Sequence, residues 1–377
     1  MLRIVADEKI PYLKGVLEPF AEVSYMPGER IDNKCLQNAD ALLIRTRTRC
    51  TPELLEGTSV RFIATATIGY DHIDTKYCDS KGIRWTNAPG CNAGSVQQYL
   101  AVALIKLAEK FNFSLSDRIL GIIGVGHVGT KLNNIARAFE MRTLLNDPPR
   151  ERIEGSENFV TIGKLLTEAD IISLNVPLTY SGSDRTYHLL DQSLFSMMKP
   201  SAIIINTSRG EVIETSLLLH VLNTGRIQTT VLDVWENEPF INADLINRSF
   251  ITTPHIAGYS VDGKANATSS IIRSFGQWCS LPLSDWFPAA LPEPMNPEFF
   301  VDCSSRNTEV ILREVLSQTY DLIRDDQLLR SNPANFEGLR ENYPVRREFS
   351  SFTVHLENPT GSLISILKEL GFQYTVI

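Results

Sequence analysis

Apolar positions fall along the chain in two periods. Short apolar runs over 2–6, 41–44, 62–66 and 83–86 are bounded by polar or turn-forming residues, which predicts buried strands. Helical spacing lies between them, over 12–20. A second helix opens at Thr51-Pro52-Glu53-Leu54-Leu55, with Thr51 as N-cap and Pro52 at the first helical position. A long helix follows over 93–111, with Val96, Leu100, Leu104, Leu107 and Ala108 at apolar positions. Alternation then resumes. Strands are expected over 119–123, 142–147, 171–176, 202–206, 229–234 and 250–253. Helices are expected over 130–140, 164–167, 192–198 and 215–223. Strand–helix alternation of this kind means parallel sheets covered by helices on both faces.

A helix over 261–280 carries Ile271, Ile272 and Phe275 on one side. The stretch 281–297 holds Pro282, Pro288, Pro292, Pro294 and Pro297, a density that reads as a linker. Beyond it the pattern gives an amphipathic helix over 308–323, a strand over 352–356, a helix over 363–370 and a strand over 373–377. This last module is short and poor in glycine turns. It is expected to serve interaction, most simply self-association, with no catalytic site of its own. The fold class is therefore α/β: two doubly wound parallel-sheet domains of Rossmann or flavodoxin type, plus a small α+β C-terminal domain.

Within this pattern the stretch Ile119-Leu-Gly-Ile-Ile-Gly124-Val-Gly126-His127-Val128-Gly129 stands out. Gly124, Gly126 and Gly129 have the spacing G-x-G-x-x-G between a strand and a helix. Asp147 closes the next strand 18 residues after Gly129. The first glycine makes the tight turn, the second admits a pyrophosphate to bare backbone, and the third lets helix pack on strand. Phosphate then sits on free N–H groups at the helix start. An acid in the place of Asp147 holds a ribose diol and repels a 2′-phosphate, which favours NAD over NADP.

Composition narrows the function classes. A chain of 377 residues exceeds one ordinary core. A net charge of −8 and a pI near 5.4 argue against nucleic acid as the main partner. The six cysteines (Cys35, Cys50, Cys78, Cys91, Cys279, Cys303) show no paired or zinc-binding spacing, so reduced thiols and no metal are expected. Charges fall too early for a signal peptide, and no apolar run reaches the ~18 residues of a membrane helix. A cytoplasmic location is the expectation.

Ligands of open parallel sheets collect at the carboxyl ends of strands. In the first ninety residues those ends carry Arg45-Thr46-Arg47 and Thr67. Two cations there suit a small anionic substrate; Arg45, Arg47 and Arg49 also read as a solvated charged run. In the second sheet the corresponding positions hold Arg209, Glu238 and His255. Hydride transfer from an alcohol needs a base for the hydroxyl proton, and histidine titrates near the working pH. A neighbouring carboxylate orients the ring and favours its charged form. An arginine forks onto a substrate carboxylate and polarises the developing carbonyl.

Ser208-Arg209-Gly210, Asp233-Val-Trp-Glu-Asn-Glu238-Pro239 and Thr253-Pro-His255-Ile-Ala-Gly258 resemble the D-2-hydroxyacid dehydrogenase family. Closer motifs point to one branch of it: Ala64-Thr-Ala-Thr-Ile-Gly-Tyr-Asp-His-Ile-Asp74, Ala88-Pro-Gly-Cys-Asn-Ala93, Asp147-Pro-Pro-Arg150 and His255-Ile-Ala-Gly-Tyr-Ser-Val-Asp-Gly-Lys-Ala265. Tyr320-Asp-Leu-Ile-Arg-Asp-Asp326 and Tyr343-Pro-Val-Arg-Arg-Glu348 extend the likeness to the C-terminal stretch.

The resemblance implies NAD-linked oxidation of 4-phospho-D-erythronate at C2, in pyridoxal phosphate synthesis. His255 matches the proton donor, with Arg209 and Glu238 as active-site partners. Thr46, Thr67 and Tyr259 match substrate positions, and Arg45 or Arg47 is expected near the phosphate. Gly124, Gly126, His127, Val128, Gly129, Asp147, Val176, Thr207, Ser208, Arg209, Asp233 and Gly258 are the implied cofactor positions. Val176 stands where relatives often carry a threonine hydroxyl. A discontinuous substrate domain (1–92 with 258–285), an NAD-binding domain (93–257) and a dimerisation domain (286–377) are implied, with a homodimer as the assembly. The competing readings are another D-2-hydroxy acid such as 3-phosphoglycerate, or a non-catalytic NAD-sensing interaction protein.

Overall fold

The computed structural model describes all 377 residues, which divide into two compact units. The first comprises Met1–Asn92 and Ser260–Pro292. Its sheet contains β1 (Leu2–Asp7), β2 (Ala21–Met26), β3 (Ala41–Ile44), β4 (Phe62–Thr65) and β5 (Arg84–Thr86), all parallel in the order β2-β1-β3-β4-β5. The four residues of β3 and of β4 are wholly buried, as expected of central strands covered on both faces. The helix Val261–Cys279 returns to this unit. Its Ile271, Ile272 and Phe275 are fully buried, and the Phe275 ring meets Phe62 edge-on at 5.9 Å.

The second unit comprises Ala93–Tyr259 and Glu293–Ile377. It contains β6 (Ile119–Ile123), β7 (Arg142–Asn146), β8 (Ile171–Leu174), β9 (Ile203–Asn206), β10 (Thr229–Leu232) and β11 (Ile251–Thr252). They form one parallel sheet in the order β11-β10-β9-β8-β6-β7. The C-terminal stretch adds its own parallel sheet, β12 (Glu298–Asp302), β13 (Thr353–Glu357) and β14 (Gln373–Val376), in that order. This stretch shares a core with the six-stranded domain. Ile311, Leu312, Val315 and Leu316 of the helix Thr308–Ser317 belong to one continuous apolar cluster with Leu100, Leu104 and Leu107 of the helix Ala93–Phe111.

Two local expectations fail for identifiable reasons, and the cap at Thr51 holds in position without its side-chain bond. Residues 12–20 form turns, not a helix: Tyr12 has φ 62° and Gly15 φ 87°, and Pro11 and Pro19 bracket the stretch. The helix expected over 308–323 is two helices, Thr308–Ser317 and Leu322–Ser331. The break comes where the Thr319 hydroxyl bonds the Leu316 carbonyl and Asp321 caps the second helix through the Arg324 N–H.

Candidate active site

The glycine turn follows β6 directly. Gly124 has φ 85° and its N–H donates to the Asn146 carbonyl at 2.8 Å; a Cβ there would lie 2.5 Å from the Asn175 carbonyl oxygen. A Cβ on Gly129 would collide with the Gly124 carbonyl, so that residue fixes the approach of the helix His127–Ala138 to its strand. Gly126 differs from both. A Cβ there meets no atom within 4 Å, and Gly126 and His127 are exposed at the helix start. No protein atom requires that glycine, and the open space leaves room for a ligand to approach the backbone.

Asp147 stands at the end of β7 and caps the next helix. One carboxylate oxygen accepts the Val125 N–H at 2.8 Å and the other the Arg150 N–H at 3.0 Å. An ionised carboxylate has acceptor capacity beyond two bonds, so a ribose diol remains within its means. Val128 is half-buried, and a Val176 methyl packs beside Gly124, where the expected hydroxyl would be.

After β9 the chain turns through Thr207-Ser208-Arg209. Asn206 holds this turn: its side-chain oxygen accepts the Ser208 N–H and hydroxyl at 3.0 and 2.8 Å, and its amide donates to the Arg209 carbonyl at 2.9 Å. The Ser208 hydroxyl is therefore engaged internally. The Thr207 hydroxyl oxygen is buried with no partner, an orphan that a bound ligand would satisfy. With the open space over Gly126, it shows that the residues present fit a dinucleotide. Arg209 anchors one guanidinium nitrogen on the Ser208 carbonyl at 2.8 Å. Gly210 runs so close to the backbone of Trp235 and Glu236 that no Cβ fits, which brings the Arg209 turn against the turn ending in Glu238.

Glu238 and His255 meet at 2.8 Å through Oε2 and Nδ1. A carboxylate only accepts, so Nδ1 carries a proton and donates it to Glu238, leaving Nε2 as the ring nitrogen free to face substrate. Burial pushes the Glu238 carboxyl up. The His255 charge and hydrogen bond, the Trp235 N–H at 3.0 Å and the Arg340 charge outweigh burial and hold it below its ordinary value. His255 itself has φ 57°, the left-handed region that side chains disfavour.

Asp233 supports that backbone from within. Its carboxylate is buried and accepts from the Thr253 hydroxyl (2.6 Å), the Ile256 N–H (2.8 Å) and the Ala257 N–H (2.9 Å). The His255 N–H donates to the Asp233 carbonyl at 2.7 Å. Asp233, expected as a cofactor position, thus has its side chain committed to the histidine loop. Gly258 and Tyr259 complete this loop, with the Tyr259 N–H on the Ile256 carbonyl at 2.8 Å.

Apart from Tyr259, the residues expected to meet substrate lie in the first unit. Arg45-Thr46-Arg47 follows β3 at its carboxyl end; Thr46 and Arg47 are exposed, while Arg45 is half-buried and donates to the Lys9 carbonyl at 3.3 Å. The Thr67 hydroxyl follows β4 and is bonded to the Thr65 hydroxyl (2.7 Å) and to the Gly69 carbonyl (2.8 Å).

Residues from the C-terminal stretch join the site and were not assigned from sequence. The Arg340 guanidinium lies over the Tyr259 ring at 5.5 Å, and the Tyr343 ring meets Tyr259 edge-on at 6.0 Å. Arg346 donates to the Ala257 carbonyl. The adjacent arginines of Pro344-Val345-Arg346-Arg347 were the one available signal, since two buried cations in succession demand buried partners. No group of three His, Cys, Asp or Glu side chains is placed to hold a metal ion, and no helix is long and apolar enough to cross a membrane.

Residues 98–257 match the family of D-isomer specific 2-hydroxyacid dehydrogenase NAD-binding domains, and residues 291–371 match a domain of unknown function (DUF3410). The chain is 46% identical over 354 residues to the erythronate-4-phosphate dehydrogenase of Bacteroides thetaiotaomicron, covering 94% of this chain and 99% of that one. It is 39% identical to the erythronate-4-phosphate dehydrogenase of Cronobacter sakazakii, covering 99% of each. Among solved structures, the Aquifex aeolicus D-lactate dehydrogenase complexed with NAD and lactic acid superposes with a TM-score of 0.62 at 26% identity. That match covers 74% of this chain and 95% of the other.

Proposed function

The chain belongs to the erythronate-4-phosphate dehydrogenase family, and from that premise we propose that it oxidises 4-phospho-D-erythronate at C2, with His255 as general acid–base. It is an NAD-dependent 2-hydroxyacid dehydrogenase. NAD, when bound, accepts the hydride that leaves C2. Gly124, Gly126, Gly129 and Asp147 would hold its pyrophosphate and ribose, with the Thr207 hydroxyl as a further donor.

The protein's own part is proton and charge management. His255 Nε2 takes the C2 hydroxyl proton as the C–H bond breaks. Glu238 holds Nδ1–H and stabilises the imidazolium that results. Arg209 pairs with the substrate carboxylate and with the carbonyl oxygen as it forms. The product is (R)-3-hydroxy-2-oxo-4-phosphooxybutanoate. The observation that carries this reading is the 2.8 Å His255–Glu238 bond, which fixes the tautomer a base requires. Arg45 and Arg47, with Thr46, Thr67 and Tyr259, are proposed for the rest of the substrate, because a phosphate dianion calls for cations.

NADH fluorescence, followed while 4-phospho-D-erythronate, 3-phosphoglycerate and D-lactate are offered in turn, tests the reading. Turnover is expected with the first. Preference for 3-phosphoglycerate would move the substrate assignment, and tight NADH binding without turnover of any acid would make the chain a sensor. His255→Asn should abolish turnover while NADH still binds. The double variant Arg45→Ala, Arg47→Ala should lower kcat/KM for the phosphorylated acid by roughly 100-fold or more; an unchanged value removes both residues from the phosphate site.

The proposed assembly is a homodimer formed through the C-terminal stretch. Phe300 on β12 is 70% exposed and stacks on His355 at 4.6 Å, and all four residues of β14 are exposed. An exposed aromatic ring on a sheet that ends in an open strand edge favours pairing. Light scattering should give twice the chain mass, and Phe300→Glu should shift it toward one.

A further inference from the structure

The strand that delivers His255 is poorly held by its own sheet. β11 has two residues and lies at the edge, paired only with β10. Past it the chain must keep His255 at φ 57°, a conformation that costs about 1–2 kcal/mol for a side-chain-bearing residue. Asp233 supports the loop from one side only.

The C-terminal stretch supplies the other side. Asp326 accepts both the Thr252 N–H (2.7 Å) and the Thr252 hydroxyl (2.9 Å), as a further strand would at that edge. Arg330 pairs with Asp326 at 2.8 Å and donates to the Ser249 and Phe250 carbonyls, just upstream of the strand. Beyond the histidine, the buried Arg346 donates to the Ala257 carbonyl and to Ser95 Oγ, and Ser95 Oγ donates to the same carbonyl at 2.8 Å. Ala257 is thereby held at both ends of its residue: N–H by Asp233, C=O by Arg346 and Ser95. The Arg346 guanidinium is itself fixed over the Tyr320 ring at 4.5 Å.

We propose that the C-terminal stretch is a brace for the catalytic loop, with Arg346 as the positioning residue that fixes Ala257 and, through it, the His255 ring against Glu238. The proposal rests on the assignment of His255 as acid–base. It also gives this stretch a task within its own chain, separate from any dimer contact.

The test uses the full chain with Arg346→Lys, Arg346→Met, Ser95→Ala and His255→Asn, reading kcat, KM, NADH affinity and Tm. Arg346→Lys should lower kcat roughly tenfold or more, and Ser95→Ala a few-fold, with NADH affinity and KM within about twofold, because a small misplacement of a catalytic group acts on kcat. Arg346→Met should lower kcat further. If the buried arginine proves necessary for folding, Ser95→Ala still reads the same carbonyl. Wild-type kcat in folded Arg346→Lys and in Ser95→Ala overturns the brace, as does a kcat loss matched by equal loss of NADH affinity. Activity retained in His255→Asn overturns instead the acid–base assignment on which it rests.

Discussion

Asp233→Asn separates two roles for one carboxylate. In the structure one oxygen of Asp233 accepts from the Thr253 hydroxyl and the Ile256 N–H, and the other from the Ala257 N–H. Asparagine keeps a single acceptor oxygen and replaces the other with NH2. The first two bonds survive without charge assistance. The third becomes a donor facing a donor, in a residue only 1% exposed. A buried donor left unsatisfied costs about 1–3 kcal/mol, and loss of charge assistance adds roughly 1 kcal/mol more. The net expectation is about 2–4 kcal/mol, or a fall in Tm of roughly 5–10 °C.

Because the loop carries His255, kcat should fall at least about tenfold in the variant that remains folded, while NADH affinity changes by no more than about twofold. Thermal unfolding, steady-state kinetics and NADH fluorescence titration measure the three quantities. A cofactor contact predicts the opposite pattern: Tm preserved and NADH affinity lost. That result would refute the assignment of Asp233 to the loop.

Gly126→Ala should leave Tm unchanged, since the added methyl meets no protein atom within 4 Å, yet weaken NADH binding roughly tenfold or more by occupying the pyrophosphate's space. Gly129→Ala should lower Tm even without ligand, because its methyl strikes the Gly124 carbonyl. Glu238 is held below its ordinary value near 4.5, so the stability it contributes is present above that pH and lost as pH falls through its lower folded value. Glu238→Gln should therefore be less stable than the parent by about 1–2 kcal/mol at pH 7, with the gap narrowing in urea unfolding as the pH is lowered below 4.5.

Legibility in the sequence followed the range of the interaction. The helix at Ala93–Phe111 and the strand at Ile119–Ile123 have the bounds read from apolar spacing, because burial on a long helix or central strand prints its period directly. β2 and β12 were missed. Each is an edge strand, where half the positions face solvent and the pattern is weak. Residues 12–20 looked helical because apolar spacing outvoted Pro11, Gly15 and Pro19. In the site, Arg209, Glu238 and His255 were readable as charged residues at strand ends. The internal commitments of Asp233 and Ser208 were not, since a carboxylate that caps a loop and one that meets a ligand have the same letter and the same neighbours.

The same limit explains why the C-terminal stretch looked like an interaction module. Its groups on the catalytic loop, Asp326, Arg330 and Arg346, act across 74 to 89 residues of chain, and Arg346 reaches Ser95 across 251. No local period encodes such distances. The guanidinium of Arg346 is buried with its Nε already unpartnered, so it depends on the acceptors of its Nη groups, and replacing one of them leaves a further buried donor unpaired. The segment 343–348 therefore constrains three places at once: Ser95 on the long helix, Ala257 beside the histidine, and the Tyr320 ring that the guanidinium covers. A change at any of them is coupled to the others through Arg346. Ser95→Ala, and Tyr343→Phe, which removes the hydroxyl that accepts from Arg346 Nη1 at 3.4 Å, should then each be non-additive in kcat with Arg346→Lys, and simple additivity in those double-mutant cycles would show that the guanidinium acts as packing rather than as a link.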